Sequence, residues 1–326
     1  MRTRMAIAAS SWNDARMRTL AVVTLVALAA VAAARGWNPK VPLPPVPCTL
    51  FPANNVWNAE VSALAADARS TDYVTSIGAS APLHPDFGTK KIGIPYAVAT
   101  STQAAVPIEF TAYGDESDSG PYPVPPNAPV EHGSDRHVLV VQEGSCRLYE
   151  LFGAHKKRRG ALWRAASGAF WDLGSNALRP ADWTSSDAAG LPVLPGLVRY
   201  DEVQSGAIHH ALRFTAPRTQ RAYVWPARHF ASSSTDPTLP PMGVRFRLKA
   251  DVDISGFSAT NQVILTALKT YGMLLADNGG AWFVTGAPDP RWDNEDLHAL
   301  TTIPGSSFEA VDESGLMVDP DSGQVQ

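Results

Sequence analysis

Residues 206–230 read GAIHHALRFTAPRTQRAYVWPARHF. This stretch divides at Pro217 into two runs, 207–215 and 221–229, which are both rich in apolar and aromatic residues. Successive side chains of a strand point to opposite faces of a sheet, so each run can be divided into a face toward a core and a face away from it. The stretch therefore predicts two strands of a β-sheet.

Segments of the same kind recur along the chain, which has 27 Pro and 24 Gly among its 326 residues. Many turn residues and a charged fraction of only 18% favour short strands over long helices. Two helices are also predicted, one over residues 70–79 that stops at Gly78 and one that begins after Ser258 and stops at Gly272. Eight segments have strand character: RHVLVVQ, CRLYELFGAH, ALWRAASGAFWDL, AIHHALRFT, RAYVWPARH, VRFRLKA, MLLADN and AWFVTGA. This succession predicts a mainly β fold, an antiparallel β-sandwich or jelly-roll-like domain with one or two short helices.

The N-terminus predicts export. Four arginines precede the 15-residue apolar run of residues 20–34, which ends in three alanines. This order is typical of a signal peptide, which we place at residues 1–34. A membrane anchor is the alternative, but the run is shorter than the roughly 20 residues that a membrane span needs. We expect a secreted protein, extracellular or periplasmic, with no stable membrane span after cleavage.

The mature chain is predicted to have three parts. Residues 35–47 form a Pro-rich linker, and residues 48–310 form a single β-rich domain, because no break in composition interrupts them. Residues 311–326 are acidic and rich in Gly and Ser, which predicts a flexible tail. The two cysteines, Cys48 and Cys146, are expected to form a disulfide in an exported protein, with two buried thiols as the alternative.

Charge and motifs exclude several classes of function. Removal of residues 1–34 takes away four arginines and one aspartate, which moves the formal net charge from −4 to −7. An acidic protein whose one basic cluster is HKKRRG, at a predicted turn, is not expected to bind nucleic acid. The sequence has neither a Gly-rich phosphate loop nor a metal-binding spacing of His or Cys, so no cofactor and no metal are expected.

Alternation gives the two neighbouring histidines different environments. His210 falls on the face of Ile208, Leu212 and Phe214, which predicts a buried histidine with a hydrogen-bond partner. His209 falls on the opposite face. If the next two strands are neighbours, this opposite face gathers a cationic and aromatic set of side chains: His209, Arg213, Tyr223, Trp225, Arg245 and Arg247.

Such a face suits a glycan, because guanidinium groups bind carboxylates through two hydrogen bonds and aromatic rings pack on sugars. A solvated sheet face is the alternative. For catalysis, β-elimination from a uronic-acid glycan needs a cation on the carboxylate, a base and an acid. We assign catalysis to His209, Tyr223 and Arg213, and to His210 as the base if a bulge before His209 exchanges the two histidines. We assign ligand binding to Trp225, Arg245, Arg247 and Arg221. A glycoside hydrolase would instead need two carboxylates, for which Glu150, Asp172, Asp201 and Glu202 are candidates that nothing in the sequence pairs.

Several segments resemble a group of uncharacterised secreted bacterial proteins: FPANNVWN, LHPDFG, DAAGLPVLPGLVRYDEVQSGAIHHALRF, AYVWPARH, PPMGVRFRLKA and ALKTYGMLLADNG. The resemblance covers most of residues 49–310. It implies that the mature chain is one exported unit, and it carries no fold, activity or catalytic residue. The sequence thus predicts a secreted protein that binds or acts on extracellular polysaccharide, and the enzyme that it favours is a polysaccharide lyase that works by β-elimination. A non-catalytic carbohydrate-binding or structural surface protein is the alternative.

Overall fold

The structure is a computed structural model that describes residues 38–326. The signal peptide predicted at residues 1–34 and the first three residues of the predicted linker lie outside the described residues. Strands in three sheets account for most of the regular structure. The prediction of a mainly β fold with short helices is therefore confirmed.

The largest sheet is built from strands that lie far apart in the sequence. They are β1 (His84–Asp86), β9 (Leu212–Ala216), β10 (Arg245–Leu248), β11 (Met273–Asn278), β12 (Phe283–Thr285) and β13 (Phe308–Ala310). Their order is β1-β12-β9-β11-β10-β13. The pairs β1–β12 and β9–β11 are parallel, and the other three pairs are antiparallel.

Two smaller sheets come from the first half of the described chain. One has four strands in the order β2 (Tyr96–Ala99), β4 (Val138–Gln142), β5 (Arg147–Phe152) and β8 (Ser167–Asp172). The other has three, in the order β3 (Ile108–Phe110), β7 (Leu162–Ala165) and β6 (His155–Lys157). The pairs β2–β4 and β3–β7 are parallel.

All three sheets are therefore mixed rather than purely antiparallel, so the antiparallel and sandwich parts of the prediction are not confirmed. Parallel neighbours require a crossover connection rather than a tight turn. Such a connection joins β9 to β11, whose strands are separated by more than fifty residues that include a helix. Strand segments can be recognised from alternation, but alternation does not tell which strands pair or in which direction.

Four short α-helices accompany the sheets: α1 (Ser70–Ile77), α2 (Tyr200–Ser205), α3 (Ala259–Thr270) and α4 (Asn294–His298). Helix α1 ends before Gly78, whose positive φ of 128° suits a residue without a side chain. In α3 the Ser258 hydroxyl accepts a hydrogen bond from the backbone N–H of Asn261. Gly272, with a φ of 65°, lies just beyond the C-terminal end of this helix and prevents its continuation. The predicted ends of both helices are confirmed, although there are more helices than expected.

The large sheet is covered on both faces, which overturns the division into core and solvent faces. Three consecutive residues of β9, Leu212, Arg213 and Phe214, are all buried. The strand begins at Leu212, so His209 and His210 precede it. Residues 221–229 do not form the second strand of the opening stretch. Within them Tyr223 makes an isolated bridge to Met242, and Pro226 has no N–H to donate to a neighbouring strand.

Both ends of the described chain are held against the domain. The Cys48–Cys146 disulfide is confirmed, with 5.7 Å between the two Cα atoms. The Tyr96 hydroxyl donates a hydrogen bond to the carbonyl of Pro44 in the linker. Residues 311–326, which were predicted to be a flexible tail, instead pack: Val325 lies in the large core, and Asp321 pairs with Arg228. Among the described residues, no helix has the length and apolar character required to cross a membrane.

Candidate functional site

A cavity of about 170 Å³ lies where the C-terminal end of β11 approaches the loop before α2. We call it the acid cleft, because two carboxyl groups, those of Asp187 and Asp277, line it together with His229, Ser185 and Ser186. The pairing of β11 with β9 shifts register between Leu275 and Asp277. Such a bulge re-aims the side chains that follow it, and here it precedes the aspartate of the cleft.

Asp277 contributes a carboxyl group with a raised pKa to this cleft. Its burial, with the negative charge of Asp187 nearby, raises its pKa to about 7, and the opposing effect of Arg213 is smaller. Its carboxylate accepts a hydrogen bond from the backbone N–H of Asn278 at 2.7 Å. At neutral pH this carboxyl group is thus divided between its protonated and ionised forms, the condition that suits a proton donor and acceptor.

The neighbouring carboxylate of Asp187 is fixed by Arg213. The Nε of Arg213 lies 2.9 Å from Oδ2 of Asp187, and its Nη2 lies 2.7 Å from Oδ1. Its remaining Nη1 donates to the hydroxyl of Thr285 on β12 at 2.6 Å. Both members of the pair are buried, so each charge depends on the other. Within this pair the negative charge of Asp187 acts on Asp277, and the positive charge of Arg213 opposes it.

A second buried pair supports the wall of the cleft at Ser186. Nδ1 of His137 lies 2.6 Å from Glu131, and Nε2 lies 2.9 Å from the carbonyl oxygen of Ser186. Burial would lower the pKa of His137, but the hydrogen bond and the charge of Glu131 outweigh it and raise the pKa to about 9. The Ser186 hydroxyl donates to Glu150, whose carboxylate also accepts from the backbone N–H groups of residues 193 and 194. This glutamate is fully buried and belongs to the scaffold.

His229 brings an imidazole group to the acid cleft. Its Nδ1 donates to the carbonyl of Ala188 at 2.8 Å, which leaves Nε2 3.8 Å from Oε2 of Glu116. The ring stacks on Phe230 with 5.7 Å between centroids, and Phe230 stacks in turn on Tyr223 at 6.5 Å. We call His229, Phe230 and Tyr223 the aromatic strip. The guanidinium of Arg221 lies over the Phe230 ring at 5.9 Å.

The two histidines of the opening stretch lie in a different place. They line a cleft of about 540 Å³, the histidine cleft, with Tyr271, Glu202 and Arg199. His210 is buried as predicted, between Glu202 at 3.2 Å and the carbonyl of Ala211 at 2.8 Å. His209 is exposed as predicted, but its neighbour is the hydroxyl of Tyr271 at 3.4 Å and not that of Tyr223.

The other predicted site residues are dispersed, so the single cationic face does not exist. Arg213 is buried with Asp187, and Tyr223 hydrogen-bonds Asp182. Trp225 and Arg245 line a third cavity, of about 390 Å³, which we call the Trp225 cavity. Arg247 is occupied by Glu309 and by two backbone carbonyls. The physical reason is the burial of β9 and β10 on both faces, which directs their arginines into separate internal pairs.

Sequence reasoning missed Asp277 and Asp187. The available signal was the segment MLLADN, where an aspartate follows a run of apolar residues in a predicted strand. Charged residues are rarely buried unless they are paired or functional, so such an aspartate is a candidate site residue. Nothing in the sequence places Asp187 next to it, because the two residues meet only through the pairing of Asp187 with Arg213 on the adjacent strand.

Residues 38–326 contain no group of three or more His, Cys, Asp or Glu side chains that could hold a metal ion. Comparison of the chain with protein-family models, with curated proteins and with solved structures finds no match. The arrangement of the side chains is therefore the basis for assigning a function.

Proposed function

We propose that the protein cleaves glycosidic bonds of an extracellular polysaccharide in the acid cleft, with Asp277 as the proton donor. The observation that carries the proposal is that two carboxyl groups of the same cavity have different environments. The carboxylate of Asp187 is bound at both oxygens by Arg213, whereas the pKa of Asp277 is raised to about 7. A carboxylic acid and a carboxylate in one cavity are the groups that glycoside cleavage requires.

The chemistry has two proton transfers. Protonated Asp277 gives its proton to the glycosidic oxygen, the bond from this oxygen to the anomeric carbon breaks, and positive charge develops on the sugar ring. The anionic carboxylates of the cleft stabilise this charge. A water molecule then attacks the anomeric carbon, where its oxygen forms the new bond, and ionised Asp277 accepts the proton that this water loses, which restores its acid form. His229, at the wall of the same cleft, is the second group that can accept this proton.

The aromatic strip supports a carbohydrate ligand. Flat, partly exposed rings that lead away from a cleft can pack against the apolar faces of successive sugars. The residues that line the acid cleft include neither Arg nor Lys, so this site offers no cation for a uronate carboxylate. A neutral polysaccharide is therefore the better substrate for the acid cleft. The disulfide supports action in an oxidising compartment outside the cytosol.

β-Elimination from a uronic-acid glycan is the second candidate, and the histidine cleft favours it. There His209 and the Tyr271 hydroxyl, 3.4 Å apart, could act as base and acid, while Arg199 lies in the same cleft. Burial raises the pKa of Tyr271, which keeps its proton available to a leaving oxygen. Against this candidate, Arg199 is already bound to Glu202, so a substrate carboxylate would have to compete for it.

The test is a screen of the mature protein against neutral and acidic polysaccharides, with detection of new reducing ends and of unsaturated products. We expect new ends from a neutral polymer, and a loss of about 10²–10⁴-fold in rate in Asp277→Asn. Asp251→Asn, an exposed aspartate replaced in the same way, is the matched control and should retain full activity. Unsaturated products that depend on His209 would favour the second candidate. Binding without cleavage would favour a carbohydrate-binding protein.

A further inference from the structure

The Trp225 cavity has an unusual set of unsatisfied polar atoms. Among residues 38–326, the buried side-chain atoms without a hydrogen-bond partner include the Tyr73 hydroxyl, Nε of Arg245 and Oε1 of Glu313. All three residues line this one cavity of about 390 Å³. Buried polar atoms in folded proteins nearly always have partners, and three exceptions around one cavity indicate that its contents are part of the hydrogen-bonding arrangement.

The guanidinium of Arg245 is bound to the backbone through its two terminal nitrogens. Nη1 and Nη2 donate to the backbone carbonyls of Ala59 at 3.2 Å and Val56 at 2.6 Å. Nε lies 3.0 Å from Oε1 of Glu313, but without the direction of a hydrogen bond. Both side chains are buried, so the charge of each compensates the other while one donor and one acceptor stay unused.

The rest of the lining is apolar or of mixed charge. Trp225 is held at its indole nitrogen, which donates to the carbonyl of Ser322 at 2.8 Å. The apolar part of the lining also includes Val224, Val244, Val311 and Met317. Two guanidinium groups, of Arg69 and Arg245, are offset by three carboxyl groups, of Asp67, Asp312 and Glu313. Such a lining does not favour an anion.

We propose that the Trp225 cavity is a second, non-catalytic binding site that takes one ring of a neutral sugar. A sugar ring combines hydroxyl groups, which both donate and accept, with an apolar face. Its hydroxyls would accept from Tyr73 and Arg245 and donate to Glu313 after small rotations of these side chains, and its apolar face would pack on Trp225. Binding here does not depend on bond cleavage in the acid cleft. Residues 224–229 nevertheless contribute to both sites, through Val224 and Trp225 to this cavity and through His229 to the acid cleft.

The test follows the indole N–H signal of Trp225 in ¹H–¹⁵N spectra during titration with glucose, N-acetylglucosamine, cellobiose and glucuronate. The signal is assigned by its loss in Trp225→Phe. We expect saturable shifts with at least one neutral sugar and weaker binding of glucuronate. Absence of binding by every neutral sugar, or tighter binding of glucuronate, would overturn the proposal.

Variants at the rim locate the binding. Met317→Trp adds bulk to a residue that lines the cavity and is 37% exposed, and it should lower the affinity at least about tenfold. Val318→Trp is the matched control, since Val318 is 53% exposed and is not among the lining residues. It should leave the affinity unchanged. Equal effects of the two substitutions would overturn the proposal.

Two further variants test the site. Tyr73→Phe tests whether the Tyr73 hydroxyl binds the sugar, and Asp277→Asn tests whether binding is independent of the acid cleft. Tyr73→Phe removes an unsatisfied hydroxyl, so it should not destabilise the free protein, but it should weaken sugar binding about threefold to tenfold. Asp277→Asn should leave the Trp225 shifts intact even though it abolishes cleavage. Unchanged affinity in Tyr73→Phe, or loss of the shifts in Asp277→Asn, would contradict binding in the Trp225 cavity. Failure of cleavage alone would leave the binding result unaffected.

Discussion

Arg213 binds both carboxylate oxygens of Asp187, with Nε 2.9 Å from Oδ2 and Nη2 2.7 Å from Oδ1. The pair is buried between the central strand β9 and the loop that leads to α2. Its negative member lies near enough to Asp277 to raise the pKa of that residue further than burial does alone. Burial is the main cause of the raised pKa of Asp277, and the ion pair modifies it, because Asp187 raises this pKa further and Arg213 partly lowers it.

Replacement of Arg213 by methionine should destabilise the fold strongly. Removal of one partner of a buried pair leaves the other charge uncompensated, at a cost of about 3–5 kcal/mol in the free energy of unfolding. Denaturant unfolding measures the effect. The double variant Arg213→Met/Asp187→Asn removes both charges and should recover part of the loss. A single variant within about 1 kcal/mol of the wild type would show that the pair contributes little.

Asp277→Asn should stabilise the protein, and more so as the pH rises. The folded-state pKa of about 7 lies above the ordinary value of 3.8, so the wild-type aspartate contributes stability below pH 3.8 that is lost as the pH rises to about 7. Asparagine does not titrate. We compare the free energy of unfolding of the variant with that of the wild type at each pH. The difference in favour of the variant should be roughly 2–4 kcal/mol larger above pH 7 than at pH 4. Parallel stability profiles of the two proteins would contradict the raised pKa.

The pair of His137 and Glu131 predicts a second loss of stability at higher pH. The pKa of His137 is raised from 6.5 to about 9, so its contribution is fully present below pH 6.5 and disappears as the pH rises through about 9. Thermal unfolding between these limits should show a decline in the wild type. In His137→Gln the decline over this interval should be shallower. An equal slope would mean that another group is responsible.

The two neighbouring histidines should differ in their effect on stability. His210 is buried and lies between Glu202 and a backbone carbonyl, so His210→Ala should cost roughly 2–4 kcal/mol. His209 is exposed, and His209→Ala should leave the free energy of unfolding nearly unchanged. The matched pair is measured by denaturant unfolding under the same conditions. Similar costs for both would contradict the environments described here.

Local features could be predicted from the sequence because they depend on neighbouring residues. The ends of α1 and α3 follow from Gly78, Ser258 and Gly272, and the burial of His210 agrees with its apolar neighbours. The disulfide could be predicted because a chain with two cysteines has one possible intramolecular pair. Each of these inferences needed no knowledge of which strands are adjacent.

The candidate site could not be predicted in the same way. The proposed cationic face assumed that residues 207–215, 221–229 and 244–249 are neighbouring strands with one exposed side. In the fold β11 lies between β9 and β10, and the arginines of these two strands are directed into internal pairs with Asp187 and Glu313. The acid cleft is lined by residues about 90 positions apart in the sequence, such as Asp187 and Asp277, and a periodic pattern does not encode this proximity.

The most direct test of Asp277 as the proton donor is a pH titration of the carboxyl ¹³C signals of the aspartates. The signal that is missing in Asp277→Asn identifies this residue, and no substrate is needed. We expect its chemical shift to change with a midpoint near pH 7, the pKa that its burial beside Asp187 produces. A midpoint near the ordinary value of 3.8 would mean that Asp277 is fully ionised at neutral pH and cannot donate a proton, which would contradict the proposed mechanism.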